Sequence, residues 1–304
     1  MKIKVLGSAA GGGFPQWNCG CSNCHRARRG LSGFRPRTQA QVAVSAAPGS
    51  WILLNASPDL RQQLLADPEL APTAATRVTP ISTVILTSAD VDSVMGLLHL
   101  REFQPLHVFA ARSVLRILNE ENSLFRCLER SAPPVIWQPL GLGRKDSIDG
   151  VDCTAIPLGG DYPDYVSGGL RKNLAPEEAV IGLEFTNSGK TFFYAPSFSG
   201  QSDDWKQHAA SADLGLFDGT FWTDNELIDI RGGGKTAREI GHVPLSGPAG
   251  SISQLAQTPS TGKSRRVLIH LNNTNPVLDE SSEAYRAVRD AGLEVAYDGM
   301  EFQL

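Results

Sequence analysis

Three thiols fall within six residues at Cys19-Gly20-Cys21-Ser22-Asn23-Cys24. Thiolates bind zinc at ~2.3 Å, and a structural zinc takes four ligands in a tetrahedron. The C-x-C-x-x-C loop offers three of them, so the fourth has to come from elsewhere. His25 is adjacent but poorly placed to turn onto the same ion; a residue remote in sequence, such as Asn273, is the better candidate. The alternative is three free or buried thiols with no ion. Cys21-Ser22-Asn23-Cys24-His25 also fits the attachment pattern of a c-type haem. That reading needs export, and Met1 to Trp17 lacks the ~7–15-residue apolar stretch of a signal peptide. Cys127 and Cys153 stand alone and read as core residues. With three of the five cysteines in one loop, a metal site is favoured over a disulfide scaffold.

A second set of groups is scattered along the chain. In Thr87-Ser-Ala-Asp90-Val-Asp92-Ser93-Val-Met-Gly96-Leu-Leu98 a β-branched run ends and a polar loop offers two carboxylates. Strand ends in α/β proteins commonly carry sites, although Asp90 and Asp92 can equally serve a helix N-terminus. Asp218 follows the apolar run before Gly219-Thr220, His270 follows Val267-Leu-Ile, and His242 lies in the loop Gly241 to Ser246. A lone histidine at a strand end is as often a satisfied core residue as a ligand. Polar residues ending several strands, however, meet at one edge if the sheets share direction. Carboxylate with neutral imidazole is a ligand set for zinc, manganese or non-haem iron and also a general acid–base pair. Gly11-Gly12-Gly13 is not a G-x-G-x-x-G fingerprint. Gly234-Lys235-Thr236 ends like a P-loop, but Asp229 occupies the first glycine position, so a nucleotide site is disfavoured.

These groups need a frame. Strands are predicted at 2–6, 41–46, 51–55, 82–87, 106–110, 152–158, 179–186, 191–195, 214–217 and 266–271 from alternation or β-branched runs. Helices are predicted at 57–66 with Ser57 as cap, 93–102, 112–120, 202–210, 251–257, and 280–291 with Gly292 ending it. Residues 293–297 and 300–304 read as a strand pair around Asp298-Gly299. The stretch 159–176, rich in Gly, Tyr and Pro, is long enough for a lid or binding loop. Within it Arg171 and Lys172 are candidates for holding substrate carboxylates. Interleaved strands and helices imply sheets with helices outside.

Composition narrows the class. Lys and Arg total 28 and Asp and Glu 32, a net charge of −4 with pI about 5.9, which argues against a nucleic-acid binder. No apolar run approaches the ~20 residues of a membrane span, and a cytoplasmic location is expected.

The residues around Asp92 resemble the metallo-β-lactamase superfamily, where a strand leads into H-x-H-x-D-H. Ser88, Asp90, Asp92 and Ser93 occupy those positions here, so only the aspartate is retained. A closer resemblance runs through nearly the whole chain. Gly7 to Asn18, Ala56-Ser-Pro-Asp59, Tyr194-Ala-Pro196, Asp218-Gly-Thr220, Gly241-His-Val243, His270-Leu-Asn-Asn-Thr-Asn-Pro276 and Asp298-Gly-Met300 follow in order. This pattern is similar to the coenzyme PQQ synthesis protein B family.

The resemblance implies one domain over 1–304 with an αββα sandwich of two mixed β-sheets and helices on the outer faces (α/β, or α+β). It implies a role in making pyrroloquinoline quinone (PQQ), which is built from a Glu and a Tyr of a precursor peptide. Two activities have been described for the family. One is iron-dependent oxygenation of the tyrosine-derived ring, an oxidoreductase function; the other is assistance to transport of PQQ or its precursor towards the periplasm, which without a membrane span reduces to carriage. The implied cofactors are a structural Zn2+ on Cys19, Cys21, Cys24 and a fourth ligand matching Asn273, and Fe2+ at a second site anchored by Asp92 and His270. Asp90 or Asp218 would complete or orient that second site, and His242 would accept a phenol proton. Family members often carry Asp-His where this chain has Asp92-Ser93, so weaker iron binding is expected. The implied partners are PQQ or the Glu–Tyr precursor and other proteins of the pathway, and a homodimer is allowed.

Overall fold

The computed structural model describes residues 1–72, 78–102, 104–129, 135–200, 204–259 and 264–304. Two seven-stranded sheets organise them. The first contains β1 (Lys2–Gly7), β2 (Gln41–Ala47), β3 (Ser50–Leu54), β4 (Ile81–Ile85), β5 (Leu106–Ala111), β6 (Val135–Leu140) and, from the far end of the chain, β14 (Glu301–Gln303), in the order β14-β1-β2-β3-β4-β5-β6. The second contains β7 (Lys145–Ile148), β8 (Val151–Pro157), β9 (Ile181–Asn187), β10 (Lys190–Ala195), β11 (Leu214–Asp218), β12 (Arg265–Ile269) and β13 (Glu294–Val295), in the order β13-β12-β11-β10-β9-β8-β7. Each is mixed: hairpins give antiparallel pairs such as β2–β3 and β9–β10, whereas helical crossovers give parallel pairs such as β4–β5 and β11–β12.

Period-two burial explains how the second sheet sits between two layers. On β10, Phe192 and Tyr194 join the core shared with the first sheet, while Phe193 and Ala195 face the other way onto Trp205 and Ala209 of α6 (Asp204–Ser211). On β12, Val267 and Ile269 point inward and Leu268 outward. The arrangement is helix, sheet, sheet, helix. The remaining helices are α1 (Ser22–Arg28), α2 (Leu60–Ala66), α3 (Val91–Val94), α4 (Arg112–Arg116), α5 (Gly168–Arg171), α7 (Glu226–Arg231), α8 (Ser251–Gln257) and α9 (Glu283–Asp290).

Several expected elements change. Helix α2 starts at Leu60, because the Ser57 hydroxyl donates to Gln63 Oε1 (2.9 Å) instead of capping the first turn. The helix expected over 93–102 is one α-turn, α3, followed by 3₁₀ turns at Met95–Leu100. Gly96 passes so close to the preceding loop that a Cβ would lie 2.2 Å from the Ser57 carbonyl. Helix α9 begins at Glu283, where Ser282 accepts from the Tyr285 N–H (2.9 Å), and Gly292 follows its end with φ +76°. Strands β6 and β7 lacked a strong alternation signal and escaped sequence reading. Residues 202 and 203 of the helix expected at 202–210 lie outside the described residues. The last two segments do not pair with each other: β13 runs parallel to β12, whereas β14 lies antiparallel to β1 in the other sheet. Asp298 ties the crossing between them, accepting from Thr38 N (2.6 Å), Thr38 Oγ1 (2.8 Å) and Ser8 Oγ (2.7 Å).

Candidate metal and ligand site

Asp92 and the second-sheet ligands arrive from opposite halves of the chain. Asp92 lies in α3, just after β4 of the first sheet; Asp218 ends β11 and His270 follows β12, neighbouring parallel strands of the second. Parallel strands finish on one side, so their terminal residues share an edge. His270 sits in the left-handed region (φ 62°), a conformation that a non-glycine residue holds only when its surroundings fix it. His242 comes from a loop folded over this edge and stacks on His270, with ring centroids 5.5 Å apart and planes 22° apart. The ligand atoms of Asp218, His242 and His270 all lie within 4.8 Å of one another, and His270 Nε2 is 3.1 Å from Asp92 Oδ2.

The hydrogen bonds decide what each group does. Asp218 is fully buried. Its Oδ1 accepts from Thr220 N (2.9 Å) and Thr220 Oγ1 (2.6 Å), and its Oδ2 accepts from Phe198 N (3.3 Å) and His242 Nδ1 (2.7 Å). His242 therefore carries its proton on Nδ1, and its Nε2 has no hydrogen-bond partner among the described residues. Thr220 has given its proton to Asp218, so its 2.8 Å contact with His270 Nδ1 has the ring N–H donating. Both imidazoles are thus oriented with Nε2 as the ligating atom, the arrangement in which a buried carboxylate or hydroxyl fixes the tautomer of a metal-binding histidine. With four donors already on Asp218, the residues that could hold an ion are Asp92, His242 and His270. Two imidazoles and a carboxylate suit zinc or non-haem iron.

Without an ion the cluster is a set of balanced charges. Burial disfavours the imidazolium of His270, but the hydrogen bond and charge of Asp92, helped by Asp218 and Asp90, more than offset this and raise its pKa. Burial likewise acts to raise Asp92 and Asp218; the histidines beside them win and hold both carboxyls below the usual range. Asp90 has no such neighbour in contact. Burial, then the negative charge of Asp92, pushes it up to about 6, and it accepts from Ser88 Oγ at 2.7 Å. Ser93, which stands where an imidazole would be, is buried; with the Ser88 proton given to Asp90, the Ser93 hydroxyl donates to Ser88 Oγ at 3.3 Å.

These groups form the floor of a cleft of about 950 Å³. One wall is the loop after β8, where the Tyr165 hydroxyl donates to the Ala89 carbonyl; the other is the segment 235–242. Arg171 is not among the lining residues. Its guanidinium is spent on ordering the loop, reaching Asp161 Oδ1 (2.6 Å), the Tyr162 carbonyl (2.9 Å) and the Pro163 carbonyl (2.8 Å). Lys172 does not line the cleft either. Sequence reading singled out neither the orienting role of Thr220 nor the cleft position of Arg238. For Thr220 a signal existed, since it stands two residues from Asp218 in the segment quoted above.

The cysteine loop forms a separate centre. The three sulfurs lie within 4.8 Å of one another, and no fourth His, Cys, Asp or Glu ligand atom joins them among the described residues. Cys21 caps α1, its sulfur accepting from Cys24 N at 3.5 Å. The Asn273 side chain sits on the open side, with Nδ2 3.3 Å from Cys24 Sγ and 3.7 Å from Cys21 Sγ. The two ends of a carboxamide are interchangeable by a flip, so this position can present oxygen. Burial, then the neighbouring thiols, pushes Cys21 up to about 11. Three thiolates at this spacing need a cation to ionise together, so the donor set fits zinc.

Comparison with known proteins agrees with this frame. Residues 50–271 match the beta-lactamase superfamily domain. A coenzyme PQQ synthesis protein B from Methylobacterium nodulans is 43% identical over 305 residues, covering all of both chains, and one from Azoarcus sp. is 42% identical over 307 residues with the same coverage. The chain belongs to the coenzyme PQQ synthesis protein B family. Among solved structures, Zn2+-bound PqqB from Methylobacterium extorquens superposes with a TM-score of 0.92 at 40% identity over all of both chains. A diphosphatase of the PhnP family gives 0.70 at 17% identity over 99% of this chain and 96% of its own, a likeness of fold alone. The αββα arrangement is therefore the metallo-β-lactamase fold, and the pathway served by the family is PQQ biosynthesis.

Proposed function

We propose that this protein oxygenates the tyrosine-derived ring of the molecule made from Glu and Tyr on the way to PQQ. The presence of Asp92, His242 and His270 together in the cleft, with His270 Nε2 3.1 Å from Asp92 Oδ2 and the two imidazoles stacked, carries this reading. These residues would hold Fe2+, which supplies activation of dioxygen when bound. The balance is one dioxygen and two electrons from an external reductant per hydroxyl introduced, with the second oxygen atom leaving as water. The protein's own part is positional: Asp218 and Thr220 set both tautomers, and Tyr165 fastens the loop that covers one side. In the same reading Cys19, Cys21 and Cys24 hold a structural zinc, with the Asn273 carboxamide as fourth ligand, and 1–304 is one domain. Zinc in the PqqB of M. extorquens supports a metal-bound state.

A second reading rests on Ser93, which leaves no imidazole next to Asp92 for the ion: the cleft would then serve as a carrier of PQQ or its precursor without oxidising it. One experiment separates the two. The iron-loaded protein is mixed anaerobically with the cross-linked Glu–Tyr intermediate and a reductant, oxygen is admitted, and product mass is recorded. A gain of one oxygen atom per hydroxylation is expected; a stable, unchanged complex would replace the oxygenase with the carrier.

A further inference from the structure

The segment that delivers His242 to the floor of the cleft has cations at its other end. It starts at Gly234-Lys235-Thr236, the triplet that sequence reading weighed as the end of a P-loop. Thr236 and Glu239 form a reciprocal cap: the Thr236 N–H donates to Glu239 Oε2 (2.8 Å) and the Glu239 N–H to Thr236 Oγ1 (3.2 Å). The turn is anchored by buried Ala237, whose N–H donates to the Asp224 carbonyl (2.8 Å) and whose own carbonyl accepts from His242 N (2.9 Å). Lys235 and Arg238 line the cleft from this braced turn. Two acids are near this turn: Glu239 is committed to the cap, and Asp224 Oδ1 accepts from the Arg238 N–H (3.0 Å). Among the described residues Lys235 has no ion pair or hydrogen bond, and the one hydrogen bond of the Arg238 guanidinium is to the Ala249 carbonyl (3.2 Å). Around the same mouth stand Val91, Tyr165 and Ile240, each large, apolar in body and substantially exposed. A floor of aspartates and histidines, an apolar mouth and two uncompensated cations on one wall match an aromatic ligand bearing several carboxylates.

We propose that Lys235 and Arg238 bind the carboxylates of an aromatic polycarboxylate and so place its ring relative to His242. The inference rests on the reading that this cleft receives a molecule of the PQQ pathway, and it names the residues that select that molecule. A ligand made from Glu and Tyr keeps carboxylates around a ring system, which is the required chemistry. It also transfers to this segment the role that sequence reading gave to Arg171 and Lys172.

The probe is PQQ itself, titrated into the metal-loaded full chain, with its methyl triester as the uncharged control. Lys235→Gln and Arg238→Gln are each expected to weaken PQQ binding by ~3–10-fold, and the double charge reversal Lys235→Glu/Arg238→Glu by ~100-fold or more, with the loss shrinking as salt is raised. Affinity for the triester should change less than about twofold in every variant, as befits a charge effect. Lys145→Gln, at a distant surface pair with Asp152, controls for net charge, and melting temperatures control for folding. Wild-type affinity for PQQ in the double reversal, or equal losses for acid and ester, would overturn the inference while leaving the proposed function standing. Failure of the wild-type protein to bind either PQQ or the Glu–Tyr intermediate would remove both.

Discussion

Asp218→Asn separates orientation from ligation at the metal site. The carbonyl of the new side chain can keep both Thr220 donors, which places the NH2 group where Oδ2 accepted from His242 Nδ1 and Phe198 N. His242 has an escape: it moves its proton to Nε2 and accepts through Nδ1. Only the Phe198 N–H, already at 3.3 Å, is then left unpaired, so the expected cost in stability is about 1–2 kcal/mol, a single poorly made buried hydrogen bond. In a chain of this length that lowers Tm by ~2–3 °C. The escape itself ruins the metal site, because the proton now sits on the ligating nitrogen. Loss of such an orienting carboxylate typically costs ~10–100-fold in metal affinity, and the tautomer change places the expected loss at the upper end. Anaerobic titration with Fe2+ measures the affinity, and nitrogen NMR of the two rings reads the tautomers. Metal affinity within about threefold of wild type, with His242 Nε2 still unprotonated, would refute the argument that Asp218 acts through hydrogen bonding to His242.

Three further outcomes are expected. Ser93→His restores an imaginable third imidazole beside Asp92 and should raise Fe2+ affinity by about tenfold or more; equal affinity on titration would show that the imidazole cannot reach the ion. Because the folded pKa of His270 lies above its ordinary value, its stabilisation is complete below about pH 6.5 and is lost as pH rises through the folded value. The raised pKa of Asp90 acts in the same direction, so the Tm of metal-free protein should fall between about pH 5 and 8, while metal binding, which expels the His270 proton, should tighten over the same range. Cys24→Ser removes a buried thiolate from the cysteine loop and should release one equivalent of zinc on elemental analysis, with a fall in Tm that added zinc does not reverse; a full complement of zinc would show that Cys24 is not a ligand.

The parts of this molecule that were legible in its sequence are those where chemistry and local pattern coincide. Strand ends bearing Asp218 and His270 follow apolar runs, and the thiols are contiguous. What stayed hidden depends on long-range placement. Arg171 reads as a free cation in a polar loop, yet its guanidinium is taken up by the Asp161 carboxylate and by two carbonyls of its own loop, a use that no local pattern reveals. Lys235 reads as part of a failed phosphate motif, because nothing local tells that its turn faces His242. The proton positions that distinguish orienting Asp218 from ligating Asp92 arise from contacts between three separate loops. Ser57 shows the same limit at the level of secondary structure: a good cap by type, it is captured by Gln63.

The pairing of β14 with β1 sets Lys2 against Gln303, almost the longest sequence separation the chain allows. The opening strand consequently waits for the closing one. A ribosome releases the residues of the first sheet long before its border can be completed, and in that interval one flank of β1 has open donors and acceptors. Closure of so distant a contact is slow, and exposed strand borders invite association between chains. Refolding yield should therefore hinge on the final few residues more than on any part of the metal site.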